Sequence, residues 1–311
     1  MSQLNAIVDK LLTNVSSMYT PEGYVSEQVL PLVQSKQKTG KLGKYGSNHL
    51  RIEHSLIGGK GEYRRVESIV RSSAGYSIES HGLEGLVTED DYRNVELPYR
   101  AEEDEVLGLT TLIALAKEKA LADTLASTSV ITQNVTLSGT AQFNDFANSD
   151  PLDKFKTARL TVRDACGMAP NFAVMDWKVA NTLAYHPGIL EALGFTFNRA
   201  GQLSDAELAK AMGVDQLYIA KAVYNTANEG QTDSLGAVWG KHIVFGVAPQ
   251  KAAPYQVSLG YRVALEGESS RRVFKYSVNN PPNSTGILVD DSYDYLISNA
   301  GAGYLIKNAI A

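Results

Sequence analysis

The stretch that decides the fold runs from Ala101 to Ser127, "AEEDEVLGLTTLIALAKEKALADTLAS". It opens on Glu102, Glu103, Asp104 and Glu105, four carboxylates that suit the positive end of a helix dipole. Val106, Leu109, Leu112, Ile113, Ala116, Ala120, Leu121 and Leu125 then recur at helical spacing and predict one apolar stripe. At 1.5 Å per residue such a helix is about 40 Å long. It is long enough to act as a spine, and the rest of the chain reads as material arranged around it.

Upstream, the chain has little capacity to pack. Residues 4–18 carry Leu4, Ile7, Val8, Leu11, Leu12 and Val15 at helical spacing, ending before Pro21 and Gly23. "VSEQVLPLV" follows, and Pro31 ends any helix there. "QSKQKTGKLGKYGSNHL" is rich in lysine and glycine and predicts extended, exposed chain. Residues 46–95 are polar and glycine-rich. "GEYRRVESIV" and "GYSIESHGLEGLVTED" predict strands of a long protruding hairpin, an excursion that points to an interaction arm.

Downstream the text is compact. "SVITQNVTLSG" alternates as a strand. A helix is predicted over 151–166, with Asp150 as cap and Pro151 in its first turn. "NFAVMD" reads as a buried strand, "WKVANTLAYHPGILEAL" as helix on both sides of Pro187, and "SDAELAKAMG" as a helix with a Ser204–Glu207 capping box and a stop at Gly213. "QLYIAKAVYN", "KHIVFGVAP", "YQVSLGYRVAL", "RRVFKYSVN", "GILVDDSYDYLI" and "AGYLIKNAI" are further strands, with a polar loop at 225–236. Helices and strands mix without regular alternation, so the class is α+β.

Composition narrows the functions. The 311 residues carry a net charge of −5, which gives no general attraction to nucleic acid or anionic lipid. The one cysteine, Cys166, allows no internal disulfide and fits a reducing compartment. No signal-peptide pattern opens the chain, and no run approaches the ~18 apolar residues of a membrane span.

Motifs for chemistry are weak. "SLIGGKGEYRRV" (55–66) clusters three glycines about Lys60, but Gly61 and Glu62 stand where a phosphate loop needs Ser or Thr, and a strand follows rather than a helix. A turn at a hairpin tip explains the glycines. His49, His54, His81, His186 and His242 show no metal-ligand spacing, and a single cysteine argues against structural zinc. No nucleophile elbow is present; Cys166 reads as a small buried residue. Asp90–Asp91 and Asp290–Asp291 are adjacent carboxylates, which on a strand face opposite ways and make no acid–base couple. No catalytic residue, metal or cofactor is indicated. Lys36, Lys38, Lys41, Lys44, Arg51, Lys60, Arg64 and Arg65 form a basic stretch lacking the interleaved aromatics of nucleic-acid binders. The preferred partner is the acidic Glu102–Glu105 run of a neighbouring copy, since complementary charge sets register between subunits; a solvated charged surface explains any single residue of the stretch equally well.

The order of these parts resembles the major capsid proteins of tailed bacteriophages, the Hong-Kong-97-type fold that encapsulin shells share. "GYVSEQVLPLVQSKQKTGKLGKYG" (23–46) resembles the family's N-terminal arm, and "SAGYSIESHGLEGLVTEDDYRNVELPY" (73–99) the return limb of its extended loop. "EDEVLGLTTLIALAKEKALADTL" (103–125) resembles the spine helix. "NFAVMDWKVANTLAYHPGILEAL" (171–193) and 212–249 resemble the axial domain. The resemblance covers nearly the whole chain and lies in the sum of segments. It implies an N-terminal arm at 1–45 and an extended loop at 46–95. It implies a peripheral domain from 96–150 and about 250–285, with the spine helix at 102–127, and an axial domain from 151–249 and about 286–311.

It further implies a structural, non-enzymatic subunit. Many copies would form hexamers and pentamers of an icosahedral virion shell, assembled in the host cytoplasm around double-stranded DNA without sequence-specific contact. Scaffolding, portal and decoration proteins are the other implied partners, with no membrane. Because the arm starts at Met1, no fused scaffolding segment is expected. Some family members crosslink a loop-tip lysine to a neighbour's asparagine; Lys60 is the lysine so placed, though no matching asparagine or glutamate is evident and a solvated turn lysine explains it. The intersubunit contact candidates are Lys60, Arg64 and Arg65 with Glu102, Glu103, Asp104 and Glu105. An encapsulin-like shell holding cargo enzymes and a soluble enzyme of unknown type stand beside this reading. Reversing both arginines, Arg64→Glu with Arg65→Glu, is expected to block shell assembly while leaving a folded subunit, read by electron microscopy and circular dichroism.

Overall fold

A computed structural model describes residues 6–44, 52, 72–94, 100–194, 202–228, 230–251, 256–266, 271–279 and 283–311. Lys60, Arg64, Arg65 and the strand expected at "GEYRRVESIV" lie outside them.

The spine helix spans Ala101–Leu125, with Glu102, Glu103 and Asp104 in its first turn. Its buried residues are not the single stripe expected. Leu112 is 54% exposed, whereas Thr110, Lys117 and Glu118 are buried. The reason is that the helix serves two cores in succession. Val106, Leu109 and Ile113 pack with Val273, Ile287 and Val289 of one sheet. Leu121, Ala122 and Leu125 join a much larger core around a second sheet. The polar residues 117 and 118 fall where the helix passes from one to the other.

The first sheet orders Ile7–Val8, Arg271–Val278, Ser284–Ile297, Gly260–Leu265 and Leu32–Ser35, with Glu79–Val87 on the free side of Ser284–Ile297. The pairings are antiparallel except Leu32–Ser35, which runs parallel to Gly260–Leu265. The second sheet orders Asn134–Thr136, Gly303–Lys307, Ile243–Gly246, Phe172–Asp176 and Gln216–Ala220. Phe172–Asp176 and Ile243–Gly246 are buried at every residue, as central strands covered on both faces must be. Helix Pro151–Cys166 lays Phe155, Ala158 and Val162 on this core.

Local signals explain where the helices begin and end. The Asp150 carboxylate accepts from the Asp153 N–H, and Gly167 closes the helix with φ 77°, a left-handed value that glycine adopts without a Cβ clash. Ser204 and Glu207 form the reciprocal capping box. The N-terminal helix begins later than its apolar spacing suggests. Asp9 accepts from the Leu11 and Leu12 N–H groups, so the helix is Lys10–Met18, and Ile7–Val8 pairs instead with Lys275 and Phe274.

Three expectations are corrected. First, Glu79–Val87 is not part of a free hairpin. It pairs over its whole length with residues 285–293, because Val87 buries on the spine helix and Gly85 lets the helix come close; a Cβ at Gly85 would lie 1.8 Å from Glu105 Oε1. Second, the two-stranded ribbon is instead Thr39–Lys44 against Ser72–Ser77, so part of the lysine-rich segment is a paired strand. Third, the chain returns to the second sheet only at Gly303–Lys307. Ser284–Ile297 is one 14-residue strand of the first sheet, which a boundary near 286 would cut. "SVITQNVTLSG" contributes only the strand Asn134–Thr136.

Leu121 is fully buried in the large core and Leu112 is mostly exposed on the same helix. Leu121→Ala is expected to destabilise the subunit by about 2–5 kcal/mol. Leu112→Ala should change stability by about 0.5 kcal/mol. Urea unfolding of unassembled subunits checks both.

Candidate functional site

The groups first considered for chemistry have structural partners. Cys166 is 1% exposed, its Sγ donates to the Met168 carbonyl, and burial raises its pKa. His186 is buried at the start of Pro187–Ala192; its Nδ1 accepts from the Gly188 N–H at 3.2 Å, which leaves the proton on Nε2, 3.0 Å from Ser149 Oγ. Burial lowers its pKa. His242 accepts from the Asn308 N–H, and His81 stacks on Tyr293. His49 and His54 lie outside the described residues. Among the described residues no three histidine, cysteine or acidic side chains converge as metal ligands.

The acidic turn is partly engaged within its own chain. Glu102 accepts from Lys275 and from the Tyr92 hydroxyl; burial would raise its pKa, and those hydrogen bonds with the Lys275 charge hold it below the ordinary range. Glu103 pairs with Arg100 at 2.9 Å. Asp104 is exposed, and Glu105 lies against Gly85. The 225–236 loop is the turn of a hairpin, Val223–Asn225 with Leu235–Ala237. The Asn225 side chain ties across it to Asp233 and to the N–H of Ser234.

The main polar constellation is one the sequence reading missed. Lys117 Nζ donates to Asp291 Oδ2 at 2.9 Å and to Glu27 Oε1 at 3.1 Å, and it lies 4.8 Å from the Tyr293 ring centre. Arg271 donates to the same Glu27 oxygen at 3.0 Å and to the carbonyls of Ser16 and Tyr19; Arg262 approaches Glu27 at 3.4 Å. The Lys117 and Asp291 side chains are 1% and 0% exposed. Next to Lys117, the fully buried Glu118 accepts from the N–H groups of Val25 and Ser26 and from Trp239 Nε1 at 2.6 Å. The short helix Ser26–Val29 has no side-chain cap of its own, and Glu118 caps it from the spine. The signal lay in the spacing: Ile113, Lys117 and Leu121 fall four apart, so a charge sits in register with the buried face.

The adjacent carboxylates divide as a strand requires. Asp290 meets Arg272 on one face, bonded at 2.7 and 3.2 Å, and Asp291 meets Lys117 on the other.

No known family model matches the chain. It is 26% identical over 309 residues to the major capsid protein of Burkholderia phage BcepMu, covering 97% of this chain and 96% of that protein. It is 27% identical over 325 residues to the major capsid protein of Pseudomonas phage JBD67, with 100% of both covered. A crystal structure of a phage-related protein from Bordetella bronchiseptica RB50 superposes with a TM-score of 0.75 at 24% identity, covering 98% of each chain. The capsid of cyanophage P-SCSP1u superposes at 0.58 with 9% identity, covering 93% and 89%. An encapsulin from Synechococcus elongatus PCC 7942 superposes at 0.52 with 12% identity, covering 94% and 88%. The architecture is the Hong-Kong-97-type fold of phage capsids and encapsulins.

Removing one member of a buried ion pair strands the other charge. Lys117→Met is therefore expected to cost about 3–5 kcal/mol in denaturant unfolding. Burial would raise the Glu27 pKa, but Lys117, Arg262 and Arg271 hold it below the usual value of 4.5. The stabilisation from its charge is complete above that value and is lost as pH falls through the lowered one. The stability gap between the native chain and Glu27→Gln should be constant from pH 7 to about 5.5 and close below about 4.5, measured by urea unfolding across pH.

Proposed function

We propose that this chain is the structural subunit of a tailed-phage capsid. Many copies assemble as hexamers and pentamers into an icosahedral shell that encloses double-stranded DNA. The observation that carries the reading is end-to-end likeness to two phage major capsid proteins, together with a fold that superposes over nearly the full length on a phage-related protein. An encapsulin-like shell shares the fold, but that likeness is at 12% identity, whereas the 26–27% relatives are phage capsid proteins.

In this function the spine helix and first sheet form the peripheral domain and the second sheet the axial domain. The 225–236 hairpin lies toward the symmetry axis. The ribbon Thr39–Lys44/Ser72–Ser77 starts the extended loop. Such ribbons bury little of their own surface and gain it on neighbours, which makes stability a property of the assembly. A net charge of −5 suits a container that confines DNA without gripping phosphate. The virion is its destination and the host cytoplasm its place of assembly. Scaffolding, portal and decoration proteins are its partners there. No described helix is long and apolar enough to cross a membrane.

Negative-stain electron microscopy and light scattering of the purified protein test the reading. Closed shells, or free pentamers and hexamers, are expected. A monodisperse monomer or dimer that concentration and scaffolding protein leave unchanged would overturn it.

A further inference from the structure

Between the root of the ribbon, the C-terminal half of the spine helix and strand Ser284–Ile297 lies an open cleft of about 570 Å³. Glu79 and Asp294 supply its charge, and among the described residues no lysine or arginine lines it. Tyr76 and Tyr293 are its most buried rings, and the exposed His81 stacks on Tyr293 at 4.8 Å. Ala120 and Thr124 present short side chains from the helix and leave the space open. The Ser77 N–H donates to Asp294 Oδ2 at 2.8 Å and fixes that carboxylate. Glu79 stands directly across the strand pair from Tyr293 and shares its face, while Asp294, the next residue along the strand, leaves on the other face; both carboxylates line the cleft.

The cations of the chain are unevenly placed. Residues 36–65 hold eight lysines and arginines against two glutamates, in a protein whose net charge is −5. Carboxylates beside aromatic rings select a planar guanidinium, which bonds in bidentate fashion and stacks, over a lysine ammonium. Within that stretch the adjacent arginines are Arg64 and Arg65. We propose that the Glu79–Asp294 cleft is the docking site for the Arg64–Arg65 segment of a second copy of this chain. This rests on the capsid reading and names the partner surface within it.

Two observations favour this cleft and a neighbouring copy. In the acidic turn, Glu102 and Glu103 already have Lys275 and Arg100 as partners and Glu105 lies against Gly85, which leaves Asp104 alone there, whereas the cleft offers two carboxylates beside aromatic rings. The ribbon also leads away from the cleft: its ladder runs from Thr39 opposite Ser77 to Lys44 opposite Ser72. At 3.3 Å per residue, Lys44 lies about 17 Å along the ladder from its cleft end.

Disulfide trapping tests the contact. Cys166 is 1% exposed, so introduced cysteines are the accessible thiols. Glu79→Cys protein is mixed with Arg64→Cys or Arg65→Cys protein carrying a different tag, assembled, oxidised and run on a non-reducing gel. A covalent heterodimer is expected with one of the two arginine variants and not with Lys154→Cys. Shells that form without any such heterodimer overturn the contact and leave the capsid reading standing. A crosslink that forms only when both cysteines share one chain overturns the second-copy assignment. If the cysteine variants do not assemble, charge exchange decides. Glu79→Arg alone, and Arg64→Glu with Arg65→Glu, should each lower shell yield at least tenfold, and combining them should restore it. Absence of either loss, or of the rescue, refutes the contact. Failure of the unaltered chain to assemble under any condition removes the capsid reading and this contact with it.

Discussion

Two adjacent charges inside the spine helix, Lys117 and Glu118, hold the rest of the structure in place. Both are buried at the point where the helix leaves one core and enters the other. Lys117 binds the first sheet through Asp291 and the N-terminal segment through Glu27. Glu118 binds that same segment through the Val25 and Ser26 amides and reaches the second core through Trp239. Burying ions is costly unless each finds several well-placed partners. Here the partners come from three separate parts of the chain, the segment Val25–Glu27, Trp239 and the strand Ser284–Ile297, so the cost is met only when all three are assembled around the helix. The pair thus makes the arrangement of the two sheets specific as well as stable.

That arrangement explains why the N-terminal residues fold at all. Residues 19–35 form only one four-residue helix and one four-residue strand of their own. They are held by hydrogen bonds donated to Glu118, by the Glu27 ion pairs, and by parallel pairing of Leu32–Ser35 with Gly260–Leu265. Val29 and Leu30 supply the apolar contact, each 1% exposed. The ribbon that follows is held more lightly, with Leu42 and Ala74 of its two strands packed against one small cluster. That anchor is the cluster of Tyr76, Ile78, Val263 and Leu296 at the root. A subunit built this way has a firm centre and a projecting limb. That division of labour suits a part that must fold alone and bind neighbours afterward.

The electrostatics follow the same division. Charges within the body are matched: Asp290 with Arg272, Asp291 with Lys117, Glu102 with Lys275. At the root of the ribbon the Ser77 N–H holds Asp294, and Lys36 approaches Glu266 at 4.0 Å.

The sequence by itself determined the elements whose signals are local. The spine helix, Pro151–Cys166 with its Asp150 cap and Gly167 stop, and the Ser204–Glu207 capping box were legible because each rests on residues within a turn or two. The order of those elements was enough to suggest the fold. It did not determine the pairings of Glu79–Val87 with residues 285–293 or of Thr39–Lys44 with Ser72–Ser77, because a strand's partner depends on which distant strand offers a complementary face. Nor did it show that Lys117 and Glu118 are buried. Their partners lie 90 or more residues away, and a charge in an apolar stripe looks solvated until the elements around it close. Local chemistry decided what each segment is; only tertiary burial, which makes every unpaired charge costly, decided which segments meet.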